Sequence, residues 1–142
     1  MWSAPESWKA EPPRPRADLV SLGQRRVPAG PKRGEIYRLH FGDIGGNVLS
    51  GPHWAVVVQT SRMASSSTTL VVPITSSAAS AHLEPPYLVH ASSRDLQLEW
   101  DGWIHADQVF TFPAAELDER VGSLRGRKMD ELDQALRFVL DL

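Results

Sequence analysis

The chain has 142 residues, of which 42% are hydrophobic, and its 15 Lys and Arg nearly balance 17 Asp and Glu. This length allows one domain with or without a tail and excludes a large multidomain enzyme. Without cysteine there is no disulfide framework, no thiolate nucleophile and no cysteine zinc site. No segment approaches the ~18–20 apolar residues of a membrane span, and no secretory signal opens the chain, so we expect a cytoplasmic protein.

Charge and proline are concentrated near the N-terminus. Residues 1–33 hold seven basic and three acidic residues together with six of the eleven prolines. Such a segment has too few apolar side chains to offset chain entropy, and proline breaks helices and sheets. We therefore predict a Pro/Arg-rich arm at 1–32, either disordered or a misassigned start, and one folded domain at 33–142. Residues 34–142 carry a net charge of −6 and suffice for one compact core.

The folded part shows mainly strand patterns. Alternating polar and apolar residues, or β-branched runs, are typical of strands. Five segments fit, namely residues 35–41, 54–59, 70–75, 87–90 and 102–112. Pro73 predicts an edge position or a bulge for its strand. The fold class is therefore mainly β, as a small, strongly bent antiparallel sheet or barrel.

Loops and one helix connect or follow these strands. Gly and Ser predict a long loop at 42–53 and a second one at 76–82, and residues 60–69 fit a turn or a short irregular helix. A further short turn is predicted at 93–96. At the C-terminus the apolar spacing changes to that of an amphipathic helix, which we expect to pack on the sheet. Its apolar residues are Met129, Leu132, Leu136, Val139 and Leu140.

Four polar residues near strand ends are candidates for catalysis. His53 precedes a buried strand and can exchange protons near neutral pH, although most such histidines simply face water. Thr75 ends its strand and offers a hydroxyl to an anion, or merely caps a turn. His105 and Asp107 are two residues apart in a predicted strand and would share a face, where the carboxylate raises the imidazole pKa. That pair also fits an ordinary polar sheet face.

Two tryptophans, Trp100 and Trp103, are candidates for stacking on nucleobases, although large aromatics in a small domain more often fill the core. No metal site is indicated, because no carboxylate has metal-ligand spacing from His53 or His82.

The order of short motifs resembles the MazF/PemK/Kid family of toxin endoribonucleases. The first motif is Arg33-Gly34-Glu35-Ile36-Tyr37 at the start of the first strand. Further motifs follow in the family's order from 33 to 142, namely Ala55-Val56-Val57-Val58-Gln59, Val72-Pro73-Ile74-Thr75-Ser76, Ala106-Asp107-Gln108-Val109 and Val121-Gly122-Ser123-Leu124.

This resemblance implies an SH3-like small barrel, the Kid/CcdB-like toxin fold. It implies a homodimer, with the C-terminal helix and the 70–75 strand in the contact, and a MazE-like or other small antitoxin as partner. It also implies a sequence-specific, ribosome-independent endoribonuclease that needs no cofactor or metal. Single-stranded RNA would be cleaved by attack of the 2′-OH, which leaves a 2′,3′-cyclic phosphate and a 5′-OH.

The chain departs from the family pattern at functional positions. His53 stands where the family has an arginine, Trp54 replaces the following proline, and Phe110 replaces a second arginine. In one hypothesis, His53 takes over acid–base chemistry, aided by Thr75, His105 and Asp107. In the other, the fold is kept without cleavage, as an RNA- or antitoxin-binding decoy. A CcdB-like gyrase poison is a further alternative, which the C-terminal residues favour less.

RNA contact would require a local surface, because the folded part is acidic overall. The candidates for it are polar or basic side chains, namely Arg38, Asn47, Gln59, Arg62, Ser76, Ser77 and Gln108. The basic arm is expected to contribute as well.

Overall fold

A computed structural model describes residues 30–42, 51–117 and 119–142. Of the predicted arm, only its last three residues belong to this part. None of the helices described is long and apolar enough to cross a membrane. The strands are β1 Glu35–Phe41, β2 Gly51–Val57, β3 Thr68–Thr75, β4 Leu88–Ala91, β5 Gly102–His105, β6 Phe110–Pro113 and β7 Arg120–Ser123. The helices are α1 Ser93–Leu96 and α2 Arg127–Leu140, and 3-10 turns form at Ser61–Met63, Ala81–Leu83 and Ala114–Glu116.

All the described strands form one antiparallel sheet. Six of them follow the order β4-β5-β3-β2-β1-β7, and β6 pairs with β3 beside β5. The mainly β fold with a C-terminal helix is confirmed, with seven strands rather than the five predicted. The additional strands are β7, which pairs with β1 across a bulge between Ile36 and Tyr37, and β6.

The core lies on both sides of the sheet. One side, the helix-side cluster, is centred on Ile36, Val56, Val72, Ile74 and Ile104 and is covered by α2 through Leu132, Ala135 and Leu136. The other side, the Phe41 cluster, contains Leu39, Phe41, Ala55, Val57, Val71 and Leu117, with Phe110 and Phe112 packed against it. Because side chains alternate along a strand, neighbouring residues of β2 and β3 serve opposite sides. This explains why both strands are continuous apolar runs in the sequence.

The predicted strand 102–112 is divided in two. Residues 106 and 107 form a turn after β5, and the chain then returns to β3 as β6. β5 pairs with Ile74 and Thr75, whereas β6 pairs with residues 68–71. Pro73 therefore lies opposite the break, where its missing N–H is tolerated. Of the two predicted alternatives, the edge position was wrong, since β3 is central in the sheet. The pairing on the β5 and β6 side of β3 is nevertheless interrupted beside Pro73.

Other boundaries also shift. β2 begins at Gly51 instead of residue 54, because Gly51, Pro52 and His53 pair with β1. Gln59 lies outside β2. The predicted turn at 93–96 is a single helical turn, α1, closed by a capping box between Ser92 and Asp95. The predicted irregular segment after β2 is confirmed as a 3-10 turn at Ser61–Met63.

Arg33 anchors the beginning of the domain to its last helix. Its guanidinium donates to the backbone carbonyl of Val58 and pairs with Asp133 of α2. The next residue, Gly34, has a φ of +93°, and a Cβ there would lie 2.5 Å from the carbonyl oxygen of Leu124. The Arg-Gly pair of the opening motif therefore serves the fold, since a side chain at position 34 would be both strained and blocked.

Candidate active site

Thr75 and His105 form a hydrogen-bonded pair at one end of the sheet. Thr75 Oγ1 lies 2.8 Å from Nε2 of His105 and donates its proton to the carbonyl oxygen of Ser77 at 2.6 Å. A hydroxyl has one proton to donate, so Thr75 Oγ1 accepts from the Nε2–H of His105. This chain of hydrogen bonds fixes the tautomer of the imidazole, and Nδ1 carries the lone pair of the neutral ring.

The neighbouring strand places His53 close to this pair. β3 lies between β2 and β5, and the register that joins Trp54 to Ile74 brings His53 level with Thr75. By strand alternation, His53, Thr75 and His105 all project to the side of the Phe41 cluster. The His53 ring is in edge contact with Phe41, with ring centroids 6.1 Å apart. Thr75 is thus flanked by two histidines from the adjacent strands.

The pKa of His105 is lower than that of a free histidine. The main cause is burial, which penalises the charged ring; Asp107 opposes it by raising the pKa, and His53 lowers the pKa by charge repulsion. His105 is therefore mainly neutral near pH 7. The same repulsion disfavours the state in which both histidines are charged.

Asp107 occupies a different position from the predicted one. It lies in the exposed turn after β5, so it does not share a strand face with His105. The turn is closed by the backbone N–H of Gln108, which donates to the carbonyl oxygen of His105 at 3.2 Å. The expected pairing through strand alternation was wrong, although the carboxylate still acts electrostatically on His105.

A cleft of about 450 Å³ opens where β2 begins and β3 ends. It is lined by His53, Trp54, Ile74, Thr75, Ser76, Ser77 and Trp100. Four predicted site residues therefore meet at one cleft, and His105 adjoins it through Thr75. The sequence indicated the four polar residues because each follows or precedes a buried strand.

The cleft's tryptophan wall combines Trp100, one of the two predicted stacking candidates, with Trp54, which was not predicted to stack. The rings of Trp54 and Trp100 meet edge to face, with centroids 5.3 Å apart and an interplanar angle of 82°. Trp54 lies on β2, whereas Trp100 lies in the segment before β5, more than forty residues later. Only the sheet topology brings the two together, so no local signal could have found the pair.

Arg38 lines a second cleft, on the other side of Trp54. This cleft is also lined by His40, Glu116 and Glu119, so the arginine shares it with two carboxylates. Arg62 is exposed in the 3-10 turn between β2 and β3. That turn is at the opposite end of the two strands from Thr75, about 20 Å away at ~3.3 Å per residue. Arg62 therefore does not reach the Thr75–His105 pair within one chain, and Arg38 lines a different cleft from Thr75.

Gln59 is committed to the fold. It is only 8% exposed, and its amide donates to the carbonyl oxygens of Met63 and Thr68 at 3.3 and 3.1 Å. The predicted RNA contact by Gln59 is not supported, because the side chain faces inward and holds the β2–β3 connection. Among the other candidates, Ser76 and Ser77 are exposed, Gln108 is half-buried, and Asn47 lies outside the described residues.

β3 offers little exposed surface for the predicted contact with a second copy of the chain. Residues 71–74 are buried within the chain, so the predicted contribution of the 70–75 strand is restricted to its ends. The end of α2, in contrast, exposes Phe138 and Leu142 by 60% and 85%. Within the part of the chain that the structure describes, no group of three or more His, Asp or Glu residues has the arrangement to hold a metal ion.

Comparison with known proteins identifies the family. Residues 32–140 match the model of the PemK-like, MazF-like toxins of type II toxin–antitoxin systems. The chain belongs to this family. It is 29% identical over 117 residues to endoribonuclease MazF9 of Mycobacterium tuberculosis, a match that covers 78% of this chain and 97% of that protein.

Solved structures agree on the fold. An endoribonuclease from a Mycobacterial species, solved in complex with its cognate antitoxin, superposes with a TM-score of 0.65 at 22% identity, over 80% of this chain and 97% of that one. MazF of Deinococcus radiodurans gives a TM-score of 0.66 at 18% identity, over 80% and 98%. The fold is thus that of MazF toxins, as the sequence motifs predicted.

Proposed function

We propose that this chain is an endoribonuclease toxin of a toxin–antitoxin system that cleaves single-stranded RNA. The main supporting observation is that Thr75 lies between two histidines, His53 and His105. His105 donates a hydrogen bond to the Thr75 hydroxyl. Family membership and the similarity to MazF9 support the same activity.

In the proposed reaction, one histidine removes the proton of the ribose 2′-OH. The resulting O2′ attacks the adjacent phosphorus, the P–O5′ bond breaks, and the other histidine protonates the departing O5′. The products are a 2′,3′-cyclic phosphate and a 5′-OH. In this proposal the Thr75 hydroxyl turns its proton from the carbonyl oxygen of Ser77 to the phosphate, whose charge increases in the transition state.

The electrostatics favour a division of roles between the histidines. Because the pKa of His105 is lowered, its ring is neutral near pH 7 and suits the base. His53 lines the cleft directly and would donate the proton to the leaving oxygen. Proton transfers by two side chains need no metal ion, so the proposed cleavage proceeds in the presence of a chelator.

The proposed partners follow the relatives. We propose a homodimer and a cognate antitoxin, since MazF of Deinococcus radiodurans has been solved with MazE and a mycobacterial endoribonuclease with its antitoxin. The apolar side chains exposed at the end of α2, Phe138 and Leu142, are suited to the dimer contact.

The basic residues of 1–32 are proposed to strengthen RNA binding. RNA affinity that depends on phosphate neutralisation falls as salt rises, more steeply with more contacts. Deleting residues 1–32 should lower the affinity and flatten its dependence on salt, while circular dichroism of the domain stays unchanged. An unaltered salt slope would show that the arm does not contact RNA.

The decisive experiment compares the wild type, His53→Ala and His82→Ala on a mixed-sequence single-stranded RNA in EDTA, with the product ends mapped. His82 is the matched control, because it bonds to the carbonyl oxygen of Ala79 within its own loop and does not line the cleft. We expect cyclic-phosphate ends from the wild type and His82→Ala, and a rate lower by about 10²–10⁴ in His53→Ala.

Two other outcomes redirect the proposal. Full activity of His53→Ala would assign proton transfer to His105 and its neighbours. Absence of cleavage by all three proteins, from well-folded samples, would instead support the decoy that binds RNA or antitoxin, which replacement of the usual arginine by His53 makes a real alternative.

A further inference from the structure

We propose that the cleft walled by Trp54 and Trp100 is a binding slot for one nucleobase, that of a nucleotide adjoining the cleaved bond. The proposal rests on the proposed ribonuclease function and adds a recognition site to it. The relevant features are the aromatic wall, the hydroxyls that also line the cleft, the lack of Lys, Arg, Asp and Glu among its described lining residues, and the shared residue Thr75.

The shape of the cleft suits a flat ring. Its volume of about 450 Å³ lies within the range of small-molecule sites, and the side chain of Ile74 adds an apolar surface beside the indoles. Both indoles are half-buried, so each is held by the helix-side cluster while part of it stays open. The edge-to-face contact fixes their relative orientation, so an occupant would meet a rigid aromatic surface.

The side chains that line the cleft suit a nucleobase better than a phosphate. Ser76 and Ser77 are exposed and supply hydroxyls and backbone groups that match the polar edge of a base. Among the described residues that line the cleft there is no Lys, Arg, Asp or Glu, and His53 is the titratable side chain. A phosphate beside the tryptophans, away from His53, would lack counter-charge, whereas a neutral base stacks on an indole and bonds at its edge.

The location of the slot ties it to the reaction. Thr75 lines the cleft and also bonds to His105, and His53 lines it from the next strand. A phosphate held at Thr75 therefore places the base of an adjoining nucleotide at the tryptophans.

A glycine makes the slot sterically possible. A Cβ on Gly102 would lie 2.9 Å from Cζ3 of Trp100 and 2.6 Å from Cγ2 of Ile74. Trp100 can thus lie close over Gly102 and Ile74 only because position 102 has no side chain. The indole is held against the strand end that carries Thr75.

The test uses binding, so that it does not depend on cleavage. The probe is a mixed-sequence single-stranded RNA with 2′-O-methyl groups, which block attack, and a second probe is an abasic ribose-phosphate oligomer of equal length. Affinities of the wild type, Trp100→Leu and Phe112→Leu are measured for both. Phe112 is the control aromatic residue, since it lies opposite Thr69 at the far end of β3 and does not line the cleft.

We expect Trp100→Leu to weaken binding of the base-containing RNA by about tenfold, within the usual range for one stacked base, and to leave the abasic oligomer unaffected. Phe112→Leu should change neither affinity. Thermal unfolding of each variant verifies that it is folded. If Trp100→Leu fails to fold, two other measurements test the slot. Ser77→Ala should weaken binding of the base-containing RNA only, and the base-containing probe, but not the abasic one, should quench the indole fluorescence of the wild type.

Equal losses on both probes, or a loss in Phe112→Leu as large as that in Trp100→Leu, would overturn the slot. These results are distinguishable from failure of the proposed function. If the protein binds bases at Trp100 but leaves unmodified RNA intact, the proposed base slot stands and the proposed nuclease activity is contradicted. If it cleaves RNA and its RNA affinity is unchanged in Trp100→Leu, only the proposed slot is contradicted.

Discussion

The two ends of the β2–β3 pair use similar polar residues for opposite purposes. At the connected end, the Gln59 amide and the Arg33 guanidinium donate to backbone carbonyls of the β2–β3 connection and its flanks, and the Ser61 hydroxyl accepts from the backbone N–H of Arg33. At the open end, Thr75 and His105 bond to each other beside a cleft. The difference lies in the backbone, since the carbonyls of the connection take donors from the side chains around it, whereas an open sheet end leaves side chains available.

The largest expected effect is at the open end, where Thr75→Val should reduce RNA cleavage by at least about 10²-fold. Valine keeps the shape but removes the hydroxyl proposed to contact the phosphate, and it releases the Nε2–H of His105. The measurement is the single-turnover cleavage rate. Thr75→Ser, which retains the hydroxyl, is the control and should keep most of the activity; a fully active Thr75→Val would remove Thr75 from the site.

At the connected end, Gln59→Leu should lower the free energy of unfolding by about 1–3 kcal/mol. The carbonyls of Met63 and Thr68 would lose a buried donor. Urea denaturation measures the change, and Gln134→Leu on the exposed face of α2 is the control. The folded fraction should bind and cleave RNA as the wild type does, and a selective loss of RNA binding would return Gln59 to the RNA-contact set.

A smaller effect of opposite sign is expected at Thr69 in β3. Its hydroxyl is buried, and no hydrogen-bond partner is found for it within the described residues. Thr69→Val should therefore raise the free energy of unfolding by about 1 kcal/mol, because it removes a buried polar atom at constant shape. Denaturant midpoints of Thr69→Val and of the exposed control Thr68→Val measure it. Destabilisation would reveal a partner for the hydroxyl.

The finest test concerns the charge on His105. Asp107 raises the pKa of His105 against the larger lowering by burial, so Asp107→Asn should lower the pKa of His105 further. If neutral His105 is the base, the acid limb of the cleavage profile moves to lower pH in the same variant. NMR titration of the ring and the pH dependence of kcat/KM measure the two shifts. A shift of the ring alone would separate His105 from the proton transfer.

Much of the fold was already contained in local patterns. The alternation at 35–41, the β-branched runs of β2 and β3 and the apolar spacing of α2 identify their elements, because burial dictates periodicity. β7 escaped detection because Arg120–Ser123 is too short to show a period. The division of residues 102–112 into β5 and β6 was not predicted, because Ala106 and Val109 continue the apolar pattern through the segment that joins the two strands.

The sequence by itself determined the family, the succession of strands and the residues at strand ends that are capable of acid–base chemistry. The tertiary structure decided which of them meet. His53, Thr75 and His105 come from three strands that are neighbours only in the sheet order, and Trp100 reaches Trp54 only across Gly102. The tertiary structure also directs the Gln59 side chain inward, and it places Arg38 in a cleft that Glu116 and Glu119 line as well. Local patterns reflect burial along one element, whereas a site depends on register and packing between elements, which are set by contacts distant in the chain.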